Sequence, residues 1–337
     1  MNFDLDDEQR DLAAAARDFL SGAASPADSR AALDDGAPLR PGRAALVESG
    51  FATITVPEDA GGGGGSVLDL AVVAEQAGRV LAGPSLVTFA RAAVLLAGDR
   101  ERLAALTDGS LTVAVVDVSG PVLDAAGADR FLALRGEDVV LARGRATVRD
   151  AIDPTRGLGD VELDTADLEV VATDARLRWE HAERVGRVVL AAEGLGAANR
   201  ALEIGVEYAQ ERLAFGRAIG SYQAVKHALV DVYVQVEQLR SLVWWAAWAA
   251  DEAPDELPLA AAAVKAASAT TLEQAGETLI QVHGGIGFTW EHDAHLFWRR
   301  AKVDRFLLGD DVDAFDEVAR LAIAQAGARE RVEAGAR

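Results

Sequence analysis

Three groups of residues in the second half of the chain have types and spacings suited to chemistry. Arg212, Phe215 and Gln223 fall within one turn-containing stretch, and Gln281, Gly284 and Gly285 fall within another about sixty residues on. A guanidinium presents a planar fork that matches a pyrophosphate bidentately, and a phenyl ring offers a flat apolar surface to a purine. Gln223 adds a donor and an acceptor. Adjacent glycines remove side chains where backbone N–H groups must approach phosphate oxygens. Together these residues suit the binding of a dinucleotide. The third group is carboxylates, since proton abstraction needs a base within hydrogen-bond reach of the proton it takes.

These residues require helices to position them. From Trp179 onward apolar residues recur at helical spacing, broken at Pro254 and Pro258 and again at Gly284, Gly285 and Gly287, which predicts a bundle of long helices over 179–337. The small residues between Arg187 and Glu203 also fit close helix packing without any ligand. Residues 1–106 carry shorter helical patterns interrupted by Ser25-Pro26, Pro41-Gly42 and a glycine run at 61–65, which reads as a flexible loop because no Lys-Ser/Thr follows it. Residues 107–178 change to β-prone pieces at Leu111–Val116, Phe131–Leu134 and Val139–Ala142, so a small β-domain is expected between two helical ones.

Composition narrows the partners. The chain has 337 residues, half of them hydrophobic, and a net charge of −21, which disfavours nucleic acid and anionic membrane surfaces. It has no cysteine, so thiolate metal sites and cysteine nucleophiles are excluded. The histidines at 227, 283, 292 and 295 lack the spacing of a metal site, and none is predicted. The acidic N-terminus lacks the form of a secretory signal, and no apolar run is long enough to span a bilayer, so the cytoplasm is the expected location. Trp244, Trp245 and Trp248 read as core or subunit interface.

The segment Arg-x-x-Phe-Gly-x-x-Ile-x-x-x-Gln from Arg212 to Gln223, then Gln281-Val-His-Gly-Gly-Ile-Gly-Phe-Thr-Trp-Glu-His292, then Arg299-Arg300-Ala301-Lys302, resembles the C-terminal domain of acyl-CoA dehydrogenases. Val56–Gly62 and Asp69–Glu75 resemble that family's N-terminal domain. The resemblance implies a mainly α fold with a small β-domain and a C-terminal four-helix bundle, and FAD and an acyl-CoA thioester as ligands. In such enzymes a base removes the proton beside the thioester carbonyl while a hydride leaves the neighbouring carbon for flavin N5. It further implies that Arg212, Phe215, Gln223, Gln281, Gly284 and Gly285 hold the adenosine and pyrophosphate end of a FAD belonging mainly to a neighbouring subunit. By the same similarity Arg187 faces the acyl-CoA pocket, although it could instead pair with Glu183 or Asp231.

Two departures stand out. The β-domain lacks the family's Thr-Glu-Pro-x-Ala-Gly-Ser-Asp-like and Trp/Phe-Ile-Thr-Asn-like segments, the nearest stretch being Val118-Ser119-Gly120-Pro121. The two positions where the family carries its catalytic glutamate are Leu308 and Gly186, neither of which can accept a proton. Asp310 and Glu193 are the substitute carboxylates, each with a reading as an ordinary charged residue of an acidic protein. This pattern resembles the abbreviated subunit of heteromeric acyl-CoA dehydrogenases of bacterial sterol side-chain breakdown. The expectation is a hetero-oligomer, such as a heterotetramer, with a full-length acyl-CoA dehydrogenase subunit that supplies the base, and an electron-transferring flavoprotein as acceptor. The alternatives are a homo-oligomeric dehydrogenase using Asp310 or Glu193, and a flavin-free scaffold that binds acyl-CoA or another subunit.

Overall fold

The computed structural model describes residues 4–117 and 120–335. Six helices come first: α1 (Asp7–Ala23), α2 (Pro26–Asp35), α3 (Arg43–Glu48), α4 (Val67–Arg79), α5 (Leu86–Leu95) and α6 (Arg100–Thr107). Local signals fix their starts. Asp6 with Gln9 and Ser66 with Asp69 form reciprocal capping boxes, and the Ser85 hydroxyl accepts from the Val87 N–H at the head of α5. Helix α4 is buried along almost its whole length, which its run of Leu, Ala and Val permits.

The glycine run differs from the flexible loop expected. The N–H groups of Gly63, Gly64 and Gly65 donate to the carbonyls of Thr53, Val56 and Ile54 at 2.9–3.1 Å. A Cβ on Gly62 would stand 2.2 Å from the Val56 oxygen. The loop is glycine-rich because it lies flat on the preceding turn, and not because it is loose.

Four strands follow: β1 (Val113–Val116), β2 (Arg130–Arg135), β3 (Asp138–Val148) and β4 (Gly159–Ala172), in sheet order 1-2-3-4. β1 runs parallel to β2 and the remaining pairs are antiparallel. Val113, Val115, Leu132, Val139 and Leu141 join the main core, whereas Ala114, Val122, Ala125 and Phe131 form a small core of their own. β4 has no counterpart among the expected strands, because its Asp and Glu residues depress strand propensity and most of it is exposed.

The C-terminal part holds α7 (Arg176–Glu211), α8 (Gln223–Glu252), α9 (Leu257–His283), α10 (Ala294–Asp304) and α11 (Asp311–Gly335). The 36 residues of α7 make a rod about 54 Å long. It is the axis of the molecule, packed by α4 and α5 on one side and by α8 and α9 on the other. The small residues noted in the sequence permit this. A Cβ on Gly196 would lie 1.7 Å from the Glu75 oxygen, and one on Gly78 would lie 1.8 Å from the Glu193 oxygen, so α4 and α7 touch backbone to backbone. Gly194 makes room for the side-chain hydroxyl of Ser268 on α9, 2.3 Å from where its Cβ would stand. Of the tryptophans, Trp244 is buried, while Trp245 is half-buried and donates to Glu256 at 2.9 Å.

A buried ionic knot joins the β-domain to the helices. The Asp153–Gly157 turn sends Arg156, fully buried, between Glu193 of α7 at 2.5 Å and Asp304 of α10 at 2.5 and 2.7 Å. Arg300 reaches Asp153 at 2.6 Å and Thr155 at 2.6 Å. No helix among the described residues is long and apolar enough to cross a membrane.

Candidate functional site

The first group of residues gathers at one end of the bundle. Helix α7 ends at Glu211, and a two-strand hairpin of Leu213–Ala214 (β5) and Arg217–Ala218 (β6) connects it to α8. The turn residues Phe215 and Gly216 have φ of 52° and 81°, the left-handed pair that a tight two-residue hairpin requires. Ile219 N–H donates to the Arg212 carbonyl at 2.8 Å and Tyr222 Oη donates to the Ala214 carbonyl at 3.0 Å, so the hairpin is held firmly. It nevertheless presents Phe215 at 99% exposure. A phenylalanine in a left-handed conformation with its ring in water gains nothing within its own chain, and such strained positions cluster where a ligand or partner arrives.

Helices α7 and α9 both end here and α8 begins here. Tyr208, one turn before Arg212, stacks on His283, the last residue of α9, with ring centroids 4.0 Å apart. This stacking brings Gln281, Gly284 and Gly285 to the same end as Arg212, Phe215 and Gln223. Gly284 has φ of 63°, and a Cβ on either glycine would meet no atom within 4 Å, so the backbone there faces open space. Arg212, Arg217 and Lys226 are exposed, and the Arg212 guanidinium has no ion-pair partner among the described residues. In a chain of net charge −21 this end carries the cations and bare backbone that an anionic dinucleotide needs.

The second set lies between α10 and α11. Leu308 has φ of 57° and Gly309 has φ of 103°. The two positions where a base was looked for face each other, since a Cβ built on Gly186 would be 2.9 Å from Cδ1 of Leu308. It would also be 2.8 Å from Cδ of Arg91. Arg91, on α5, is 2% exposed and pairs with Asp117 at 2.5 and 3.0 Å, its guanidinium 5.6 Å from the Trp179 ring. Arg91, Asp117, Trp179, Leu308 and Gly309 line a cavity of about 450 Å³ with Pro121 and Asp310. Of the Val118–Pro121 stretch, Val118 and Ser119 lie outside the described residues.

The substitute carboxylates are engaged. Asp310 Oδ1 accepts the Val312 N–H at 2.9 Å at the head of α11, a bond that holds its carboxyl below the usual aspartate value. Glu193 is 3% exposed and does not line the cavity. Its oxygens accept from Ser85 Oγ at 2.8 Å, Leu86 N–H at 3.0 Å and Arg156 at 2.5 Å. Arg187 is likewise occupied. Its three nitrogens donate to the Leu308 carbonyl at 3.0 Å, Glu317 at 2.7 Å and Glu183 at 2.8 Å. Of the two partners considered from sequence, Glu183 is used and Asp231 is not. Arg187 therefore fastens the 308–309 turn to α7 and α11.

Sequence reasoning missed Arg91, Asp117 and Arg156. The signal for Arg91 was available as a single charge inside the apolar run Leu86–Leu96, where a charge is buried only with a partner.

Helices before and after a small sheet, with an exposed hairpin and glycine turn at the bundle end, form the architecture that the resemblance to acyl-CoA dehydrogenases implies. Residues 6–101 match the acyl-CoA dehydrogenase N-terminal domain and residues 181–328 the acyl-CoA dehydrogenase C-terminal domain. The chain is 36% identical over 285 residues to acyl-CoA dehydrogenase IpdE2 of Mycobacterium tuberculosis, covering 82% of this chain and 86% of that protein. Among solved structures it is similar to the ChsE4-ChsE5 complex of Mycobacterium tuberculosis, with TM-score 0.82, 25% identity and coverage of 95% and 98% of the two chains. A second similar structure, the Tcur3481-Tcur3483 steroid ACAD, has TM-score 0.82 at 25% identity over 95% and 99%. The chain belongs to the acyl-CoA dehydrogenase family, and its cofactor is FAD. The cations and open glycine backbone at the bundle end fit the phosphates of that cofactor.

Proposed function

We infer that this chain is the base-free subunit of a heteromeric acyl-CoA dehydrogenase, lending the adenosine and pyrophosphate side of a FAD site to a full-length partner. The observation that carries this reading is the contrast between the two sites. One keeps Arg212, Phe215, Gln223, Gln281, Gly284 and Gly285 at an exposed end with unused donors, while the other has Leu308 and Gly186 where a proton acceptor is needed. The similarity to the ChsE4-ChsE5 complex supports a heteromeric assembly, and the similarity to a steroid ACAD supports an acyl-CoA from steroid breakdown as substrate.

FAD, when bound, supplies the two-electron oxidant for α,β-dehydrogenation of the thioester. The part of this chain is to bind and orient. Arg212 offers two parallel N–H donors to a pyrophosphate, Phe215 a stacking face, and the Gly284–Gly285 backbone an approach free of side chains. Proton removal falls to the partner. Asp310 caps α11 and its carboxyl is held below the usual aspartate value, which makes it a poor base, and Glu193 is buried against Arg156 away from the cavity. An electron-transferring flavoprotein re-oxidises the assembly.

Expression of this chain alone and with a full-length acyl-CoA dehydrogenase tests the reading. Alone it is expected to carry little flavin and to oxidise no acyl-CoA, whereas the co-purified pair is yellow and active. A flavin-bound, active preparation of this chain by itself would overturn the proposal.

A further inference from the structure

Restoring one carboxylate at position 308 is the simplest way to return a base to this chain. The surroundings of position 308 argue otherwise. Arg91 Cδ and Leu308 Cδ1 both fall within 3 Å of the point where a Cβ on Gly186 would stand, so the arginine stem and the leucine methyl together fill the ground between the two base positions. The guanidinium is buried with them, held by Asp117 and Trp179, and its Nε has no hydrogen-bond partner. A buried donor without a partner carries an unmet desolvation cost.

We propose that Arg91 is a blocking residue that silences this pocket, so that a carboxylate returned to position 308 is captured by the Arg91 guanidinium and is not left free as a base. This deepens the proposed function, since it rests on this chain having no base of its own. The physical reason is that an arginine stays charged at any working pH and pairs with a carboxylate by strong charge-assisted bonds. An ion-paired carboxylate has a lowered proton affinity and is a poor general base. The other charged groups lining the cavity are Asp117 just after β1, Glu183 on α7, and Asp310 and Asp313 at the head of α11, while Arg187 on α7 lies beside Gly309. Arg187 is saturated by Glu183, Glu317 and the Leu308 carbonyl, which leaves Arg91 Nε as the donor in want of an acceptor.

The test is carried out on the purified full chain, so it stands whether or not the partner and flavin reading holds. Leu308→Glu is titrated by carboxyl NMR beside Leu308→Glu combined with Arg91→Met and Asp117→Asn, which removes the ion pair without leaving an orphaned carboxylate. The proposal expects the installed glutamate to bind its proton at least about tenfold more tightly once Arg91 is gone, a rise of one pKa unit. Equal titration in the two proteins overturns it. Should the triple variant fail to fold, the crystal structure of Leu308→Glu alone decides. A carboxylate within hydrogen-bond distance of the Arg91 guanidinium supports the proposal, and one turned to solvent or onto Arg187 overturns it.

Discussion

Single residues in this protein are pinned by charge to an unusual degree. Lys265 on α9 is 2% exposed and donates to the carbonyls of Asp304 and Arg305 at 3.2 and 2.8 Å. Burial pulls its pKa down to about 8 from 10.5, against the opposing pull of Asp304. Between those values the unfolded chain holds a proton that the folded chain has released, so stability rises with pH across that window and the cost of burying the charge is fully present below it. Relative to Lys265→Met, the natural chain should gain about 3 kcal/mol between pH 8 and 10.5. Urea unfolding of both proteins at the two pH values checks this, and a constant difference between them would contradict it. Arg156 is the stronger case. Its replacement by Met strands Glu193 and Asp304 in the interior, which should cost about 3–5 kcal/mol and lower the urea midpoint. Lys265 carried the same signal as Arg91, a single charge in the apolar run Leu257–Ala269, but Arg156 carried none. A charge at an isolated position looks solvated until the fold shows three segments converging on it.

At the scale of elements, what the sequence carried was periodicity and capping. The long C-terminal helices, the small residues along α7 and three of the four strands of the sheet could be read from spacing, because apolar recurrence is a local property. β4 could not, since its partner β3 supplies the pairing that its acidic residues oppose. The glycine run misled for a related reason. Glycine content signals backbone freedom in isolation, yet here it marks contact with the Thr53–Val56 turn. The crossing of α4 on α7 gives a sharper prediction. Gly196→Ala places a methyl 1.7 Å from the Glu75 oxygen, a backbone atom that cannot swing aside. The helices must separate, and a loss of about 3 kcal/mol, the upper end for overpacking, is expected in chemical unfolding. Gly285→Ala, where a Cβ meets nothing, should leave stability within about 0.5 kcal/mol.

The whole molecule has two functional ends of opposite character. At one end of the bundle the residues proposed to hold the cofactor gather on one hairpin and one glycine turn, and that set was legible in sequence because the chemistry of a dinucleotide constrains residue type directly. At the other, the turn keeps the left-handed backbone of Leu308 and Gly309 while Arg91, paired with Asp117, occupies the cavity beside it. Sequence showed the missing carboxylate but not what had taken its place, because Arg91 arrives from a helix more than two hundred residues earlier. The most direct measurement is FAD occupancy of the co-purified assembly with Arg212→Ala in this chain, alongside its subunit composition. Loss of the bidentate guanidinium should weaken FAD binding at least about tenfold while the two chains still co-purify. Unchanged flavin content in that assembly would contradict the account.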